Sequence, residues 1–239
     1  MDPARLITAY HRTRARIPRG QDSYVAGSER IRVNEDRIRA VFMYIHKCAG
    51  TSVINSIQAK PEVICCVARP GDFNGRTGRE RIPDAIWERS ARFTFVRNPF
   101  ARVYSAYSMF RRGWMWRLLF PTFDDFAEFV RALDVKGHQV RREIPEPEYL
   151  RTIDTVIHHC SAFGNPKYHI DEMHFVGKME AFEAALAGAS EAAGVDLTGI
   201  PHLNRSGGGA AYRDRYSQKA RDLIAETYAE DLDRFGYVF

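Results

Sequence analysis

Two short stretches of the chain combine residue types that can bind an anion. In the first, Lys47 precedes three small residues and two hydroxyl residues, namely Cys48, Ala49, Gly50, Thr51 and Ser52. Small residues let backbone amides approach an anion closely, and a helix starting here adds the partial positive charge of its N-terminus. The hydroxyls of Thr51 and Ser52 can donate further hydrogen bonds. This stretch is therefore a candidate binding loop for phosphate or sulfate.

The second stretch pairs Arg97 with Ser105. A guanidinium group binds phosphate or sulfate through two parallel hydrogen bonds. A hydroxyl one to two turns into the following helix could hold the same anion from another side. Each residue also has an ordinary structural interpretation, Arg97 as an ion-pair partner near a helix start and Ser105 as a small packing residue.

Two metal-dependent alternatives fit the residues less well. The phosphate loop of ATPases and kinases has the pattern GxxxxGK[ST], whereas Lys47 precedes the turn and no leading glycine is present. His158 and His159 are adjacent, so on a helix their side chains point about 100° apart, which is poor geometry for metal ligands. The sequence therefore favours an anion site that uses no metal.

The overall composition allows an anionic ligand and excludes several classes of protein. The 239 residues carry a net charge of +5, and 29 of the 35 basic residues are arginine, but no run of like charges indicates a nucleic-acid-binding arm. The 45% hydrophobic content is that of a globular chain. No apolar run reaches the ~18 residues of a membrane span. The four cysteines form no CxxC pair, so we expect reduced thiols and a cytoplasmic protein.

Short apolar runs alternate with helical patterns along the chain. The predicted strands are 40–45, 63–68, 93–96 and 174–176. The predicted helices include 181–193, 217–232 and one that begins at Asn98 and Pro99, while 69–83 is predicted as a loop. This alternation predicts an α/β fold with a central parallel sheet flanked by helices, whose ligands bind at the carboxyl ends of the strands. We expect a basic, partly packed arm over 1–39 and a single domain over 40–239.

Residues 44–52 and 93–107, which contain the two stretches, closely resemble the two cofactor-binding signatures of the sulfotransferases. The similarity is to the carbohydrate branch, which includes the Golgi chondroitin, dermatan, HNK-1 and heparan 2-O enzymes and their bacterial relatives. Phe175–Glu180 resembles the late strand of that family, and residues 202–239 resemble its C-terminal end. The resemblance implies a three-layer, P-loop-like fold.

The resemblance also implies a reaction and its ligands. The donor would be 3′-phosphoadenosine 5′-phosphosulfate (PAPS), the product PAP, and the acceptor a hydroxyl of a carbohydrate or other small molecule, with no metal. Lys47 would contact the bridging region of the phosphosulfate, which Cys48–Ser52 would cradle. Arg97 and Ser105 would hold the 3′-phosphate. A further loop would close over the nucleotide with Asn204, Arg205, Tyr212 and Arg213.

The general base is the role for which the family pattern is missing. Many relatives carry a histidine or glutamate between the two signatures, and this chain has no histidine there. Asp72 is the first candidate because it follows the second predicted strand, and Glu80 is the next. His169 and His174 also remain open, although each of these side chains has an ordinary structural interpretation.

Two other functions and the acceptor surface also remain open. The chain could be a nucleotide-binding module without turnover, or a Mg²⁺-dependent phosphotransferase.

Most of the acceptor surface is expected within residues 111–168. There, Trp114, Trp116 and Phe120 could stack on a sugar or pack in the core, and Arg111, Arg112, Arg141 and Arg142 could bind an acidic glycan or form a solvated face. The Golgi members carry an N-terminal membrane anchor. This sequence shows no apolar segment of that kind, so we expect a bacterial-type soluble enzyme.

Overall fold

The computed structural model describes residues 26–68, 75–133, 135, 155–200 and 212–239. These residues form two compact units. The sheet unit contains the described residues 26–68, 75–97 and 167–200, and the helical unit contains 98–133, 135, 155–166 and 212–239. Within the described ranges, no helix has the length and apolar character needed to cross a bilayer.

Five parallel strands form the sheet unit. They are β1 (Ala40–Tyr44), β2 (Val63–Val67), β3 (Arg76–Gly78), β4 (Ala91–Val96) and β5 (Phe175–Lys178). Their order across the sheet is β3-β2-β1-β4-β5, and every neighbouring pair is parallel. All residues of β1 and β2 are buried, as expected for parallel strands covered on both faces. The predicted α/β fold with a parallel sheet is confirmed.

Helices flank the sheet and make up the second unit. Those of the sheet unit are α1 (Gly27–Asn34), α2 (Gly50–Ile57), α3 (Asp84–Arg89) and α8 (Phe182–Ala193). Those of the helical unit are α4 (Pro99–Phe110), α5 (Trp114–Leu119), α6 (Phe123–Ala132), α7 (155–160), α9 (Gln218–Thr227) and α10 (Ala229–Phe235).

Helix α1 lies in the stretch that the sequence assigned to a basic arm. It packs so closely on β3 that a Cβ on Gly27 would lie 2.6 Å from Cβ of Thr77. The guanidinium of Arg30 donates to the carbonyls of Ile57 and Gln58 at 2.7 and 2.9 Å, at the C-terminal end of α2. The described part of the arm, 26–39, is therefore packed on the sheet, while its first 25 residues lie outside the described ranges.

Two elements differ from the sequence prediction. Residues 69–83 were predicted as loop, but the described part contains β3 and a 3₁₀ turn over Arg79–Arg81. Strand β3 is short and polar, and it exists because Arg76 and Gly78 pair with Cys65 and Val67 of β2. The helix predicted over 217–232 is two helices, α9 and α10, which meet at Tyr228.

An aromatic core holds the helical unit together. Trp116 of α5 stacks on Phe110 of α4 with ring centroids 4.4 Å apart, and the ring centroid of Phe120 lies 5.9 Å from that of Trp116. Both Trp116 and Phe120 are buried, so packing explains them and not a sugar-binding cleft. Helix α4 begins as predicted, because the Asn98 side chain accepts from the amide of Phe100 and Pro99 occupies the first turn.

Candidate functional site

The candidate anion loop joins β1 to α2 at the carboxyl edge of the sheet. Two of its residues that are not glycine have left-handed backbones, Lys47 with φ 69° and Ala49 with φ 57°. Such conformations cost about 1–3 kcal/mol each and are found at functional sites. Backbones of this kind turn successive amides towards one point and form an anion-binding concavity. The positive φ values of Lys47 and Ala49 are of the kind found in such concavities.

The start of α2 leaves its first amides available to a ligand. The N-cap residue is Ala49, whose side chain cannot accept a hydrogen bond from the first turn. Cys48 is buried, so we expect it to contribute to a ligand only through its backbone. Ser52 is fully buried, whereas Thr51 is exposed. Of the two hydroxyls proposed from the sequence, Thr51 is the one open to solvent.

The ring of Tyr44 packs against the loop at Gly50. A Cβ on Gly50 would lie 2.1 Å from Cε2 of Tyr44, so only glycine fits there. The side chains of Tyr44 and Thr51 share a hydrogen bond, and the Arg76 guanidinium lies 5.3 Å from the Tyr44 ring centroid. Burial raises the pKa of Tyr44, although Arg76 and the Thr51 hydrogen bond oppose it. The sequence assigned no role to Tyr44 or Arg76, because neither contact follows from spacing along the chain.

Arg97 contacts the loop directly. It follows β4, the neighbour of β1, and its Nη1 donates to the backbone carbonyl of Lys47 at 3.3 Å. The carbonyl that accepts this hydrogen bond belongs to one of the two residues with positive φ. The structure thus brings Lys47 and Arg97 together at the carboxyl edge, and it shows Arg97 holding the loop backbone.

Ser105, Tyr212 and Arg213 belong to the helical unit. Ser105 is a half-buried residue of α4. Tyr212 is buried, and the guanidinium of Arg213 lies 5.0 Å from its ring centroid. Asn204 and Arg205, the other two residues of the predicted closing loop, lie outside the described residues.

Of the candidate general bases, Glu80 is the one described at the carboxyl edge of the sheet. It lies two residues after the end of β3, and its carboxylate oxygens would lie 2.3 Å from a Cβ on Gly78. Its side chain is 51% exposed, and Nε of Arg81 lies 4.0 Å from Oε1. Asp72, the first candidate, lies outside the described residues.

His169 and His174 lie at the opposite edge of the sheet. The amide of Arg92, near the start of β4, donates to Nδ1 of His174 at 2.9 Å, whereas Arg97 follows the end of that strand. At about 3.3 Å per residue, Arg92 and Arg97 are roughly 16 Å apart. His169 is held by Glu172, with Nδ1 and Oε1 separated by 2.6 Å. The structure therefore does not bring either histidine to the loop.

The described residues contain no group of three or more histidine, cysteine, aspartate or glutamate side chains arranged to hold a metal ion. His159 uses its Nδ1 in a 2.8 Å hydrogen bond with the carbonyl of Thr155. The four cysteines are buried thiols, and burial raises the pKa of Cys66 to about 12. A thiol with this pKa is protonated at neutral pH and is a poor nucleophile.

A family model described as "Sulfotransferase family" matches residues 29–238 of the chain. No curated protein and no solved structure matches the chain significantly. The matched range includes most of helix α1, the whole sheet, the loop and Arg97.

Proposed function

Because the chain belongs to the sulfotransferase family, we propose that it transfers a sulfuryl group from PAPS to a hydroxyl of a carbohydrate or other small acceptor. The observation that carries this proposal is the loop between β1 and α2, where Lys47 and Ala49 have positive φ and Arg97 donates to the Lys47 carbonyl. Membership of the family supports sulfuryl transfer in general. The signatures around Lys47 and Arg97 support PAPS as donor.

In the proposed reaction, the acceptor oxygen attacks sulfur in line. The new O–S bond forms as the bond between sulfur and the 5′-phosphate oxygen breaks, and PAP leaves with the electron pair. Negative charge grows on that oxygen, so fixed amides of the loop and the Lys47 ammonium would lower the barrier by stabilising it. This stabilisation is usually the largest single contribution to catalysis.

Arg97 has two tasks in this proposal. It holds the Lys47 carbonyl, and with Ser105 it would bind the 3′-phosphate. One guanidinium can do both because it has five N–H donors, of which the contact with Lys47 uses one. Tyr212 and Arg213, together with Asn204 and Arg205, would cover the nucleotide.

The proton of the acceptor hydroxyl needs a general base, and Glu80 or Asp72 would serve. Glu80 is supported by its position after β3 at the same edge of the sheet as the loop. Glu80→Gln and Asp72→Asn should be compared by turnover and by PAP affinity. The variant that removes the base should lose turnover about 10²-fold or more while it retains PAP affinity.

Calorimetric titration with PAP, with and without Mg²⁺, tests the proposal. The wild-type protein should bind PAP near micromolar concentration, independently of Mg²⁺. Arg97→Ala should abolish this binding, and Ser105→Ala should weaken it. Lys47→Ala should reduce turnover with PAPS more than it reduces PAP affinity. The exposed Arg32→Ala on α1 is the matched control and should bind PAP like the wild type.

Two results would replace the proposal by an alternative. Absence of PAP binding, with ATP binding only in the presence of Mg²⁺, would favour a phosphotransferase. A nucleotide-binding module would be favoured if the protein binds PAP tightly but turns over no hydroxyl acceptor. In that case Glu80→Gln and Asp72→Asn should leave PAP affinity unchanged.

A further inference from the structure

Helix α5 of the helical unit exposes two large apolar side chains on one face. Trp114 is 46% exposed and Leu118 is 60% exposed. Residues four apart on a helix are neighbours on its surface, so the two side chains lie side by side. The other side of α5 is packed, because Met115 and Trp116 are buried and Trp116 stacks on Phe110. The exposed pair therefore lies on the solvent side of a helix whose opposite side packs in the core.

Three exposed arginines lie next to this apolar pair along the chain. Arg111 and Arg112 precede the helix, and Arg117 lies between Trp114 and Leu118 in sequence. Nη1 of Arg117 donates to the carbonyl of Arg111 at 3.2 Å, which draws the two residues together. We call these five residues the Trp114 patch.

The positive charge of the Trp114 patch has no carboxylate partner within the part of the chain that the structure describes. The nearest acidic residues along the chain are Asp124 and Asp125, and both are occupied. Asp125 closes the capping box of α6 with Thr122, and Asp124 accepts a 2.7 Å hydrogen bond from Ser217. The patch therefore combines exposed apolar surface with uncompensated positive charge.

We propose that the Trp114 patch docks this protein onto an anionic lipid bilayer surface. Tryptophan is enriched at the boundary between headgroups and acyl chains, where its ring is buried and its N–H stays in contact with polar groups. Leucine beside it enters the acyl region. Arginine side chains extend their guanidinium groups to lipid phosphates, each contributing about a fivefold gain in binding to an anionic membrane.

Leu118 distinguishes a bilayer from a soluble polyanion. An acidic polysaccharide would pair with the arginines and could stack on Trp114, but Leu118 offers it neither a hydrogen bond nor an aromatic face. A bilayer buries Trp114 and Leu118 together and binds the guanidinium groups at the level of the lipid phosphates. The net charge of +5 adds attraction to the same surface. This inference does not depend on the proposed sulfuryl transfer.

Vesicle co-sedimentation tests the proposal with the full chain. Wild-type protein should partition onto phosphatidylcholine vesicles that contain phosphatidylglycerol, and much less onto phosphatidylcholine alone. The double variant Trp114→Ser with Leu118→Ser should partition about tenfold less. Arg112→Gln and Arg117→Gln should each lose about fivefold, and only on the anionic vesicles.

Matched variants and a depth measurement make the result specific. Val33→Ser removes an equally exposed apolar side chain from α1, and Arg37→Gln removes an exposed arginine; both should bind like the wild type. Brominated lipids should quench the fluorescence of Trp114, since Trp87 and Trp116 are only 4% and 5% exposed. That quenching should disappear in Trp114→Phe.

Three results would overturn the proposal. They are unchanged vesicle binding by the double variant, quenching that persists in Trp114→Phe, and binding of the patch to heparin without binding to anionic vesicles. Because the substituted side chains are exposed, the variants should keep the far-ultraviolet circular dichroism spectrum of the wild type.

Discussion

The sheet unit and the helical unit differ in how their key residues are held, by unusual backbone conformation in the first and by buried hydrogen bonds in the second. In the sheet unit, Lys47 and Ala49 have left-handed backbones, and Gly50 is pressed against the ring of Tyr44. In the helical unit, Arg102 and Asp231 are almost fully buried and bonded to backbone groups. Two of the three described non-glycine residues with positive φ lie in the loop where a ligand is expected, whereas Arg102 and Asp231 of the helical unit have hydrogen-bond partners.

Arg102 and Asp231, the buried pair of the helical unit, both contact residues 161–164. Arg102 donates from Nη1 to the carbonyl of Ser161 at 2.5 Å, and its guanidinium lies 4.7 Å from the Phe163 ring centroid. Asp231 accepts from the amides of Phe163 and Gly164 at 2.8 and 3.4 Å. A binding loop cannot satisfy its amides in this way, because those amides must remain available to the ligand. The difference between the units therefore follows from their tasks.

Removing the buried carboxylate should have the largest effect. Asp231→Ala leaves the buried amide of Phe163 without an acceptor and removes the acceptor of the Gly164 amide, so the free energy of unfolding should fall by about 3 kcal/mol. Asp233→Ala, an exposed position on the same helix, should change it by less than about 0.5 kcal/mol. Urea denaturation measures both variants. Equal effects would show that Asp231 does not support the helical unit in this way.

A methyl group on Gly50 should disrupt the loop. Gly50→Ala drives its Cβ into the Tyr44 ring, and we expect a loss of about 2 kcal/mol in stability together with loss of PAP binding. In Gly164→Ala, the new Cβ meets nothing within 4 Å, so the stability should change by less than about 1 kcal/mol and PAP binding should persist. Retained PAP affinity in Gly50→Ala would contradict the role of this close contact.

Relieving the strain at Ala49 should stabilise the protein. Glycine adopts positive φ without the Cβ penalty, so Ala49→Gly should raise the free energy of unfolding by about 1 kcal/mol. Ala187→Gly, on the exposed face of α8, should lower it by about 1 kcal/mol because glycine weakens a helix interior. If Ala49→Gly lowers the free energy of unfolding as Ala187→Gly does, the backbone of Ala49 is not strained.

The smallest expected effect concerns acid stability of the sheet unit. Partial burial raises the pKa of Glu172, but hydrogen bonds from His169 and Trp87 outweigh it and leave the pKa below its ordinary value. The resulting stabilisation is present above about pH 4.3, the unfolded value, and is lost as the pH falls through the lower folded value. Glu172→Gln should therefore flatten the fall of the urea midpoint on acidification, whereas the exposed Glu183→Gln should leave it unchanged.

The central strands and the loop were predictable because their signals are local. The apolar runs at 40–45, 63–68 and 93–96 contain β1, β2 and most of β4, since a strand buried on both faces needs apolar residues throughout. The start of α4 at Asn98 was predictable because capping depends on neighbouring residues. Strand β3 was missed since its residues have no apolar pattern and it forms only by pairing with β2.

The sequence by itself determined the class of fold and indicated the candidate loop, and it predicted Lys47 and Arg97 as ligand-binding residues at the ends of two strands. Only the tertiary structure decided that Lys47 and Ala49 have positive φ, that Arg97 holds the Lys47 carbonyl, and that His174 lies at the far edge of the sheet. It also decided that Trp116 is buried while Trp114 is exposed. Residue type and spacing describe neighbours along the chain, whereas these features depend on strands and helices that meet only after folding.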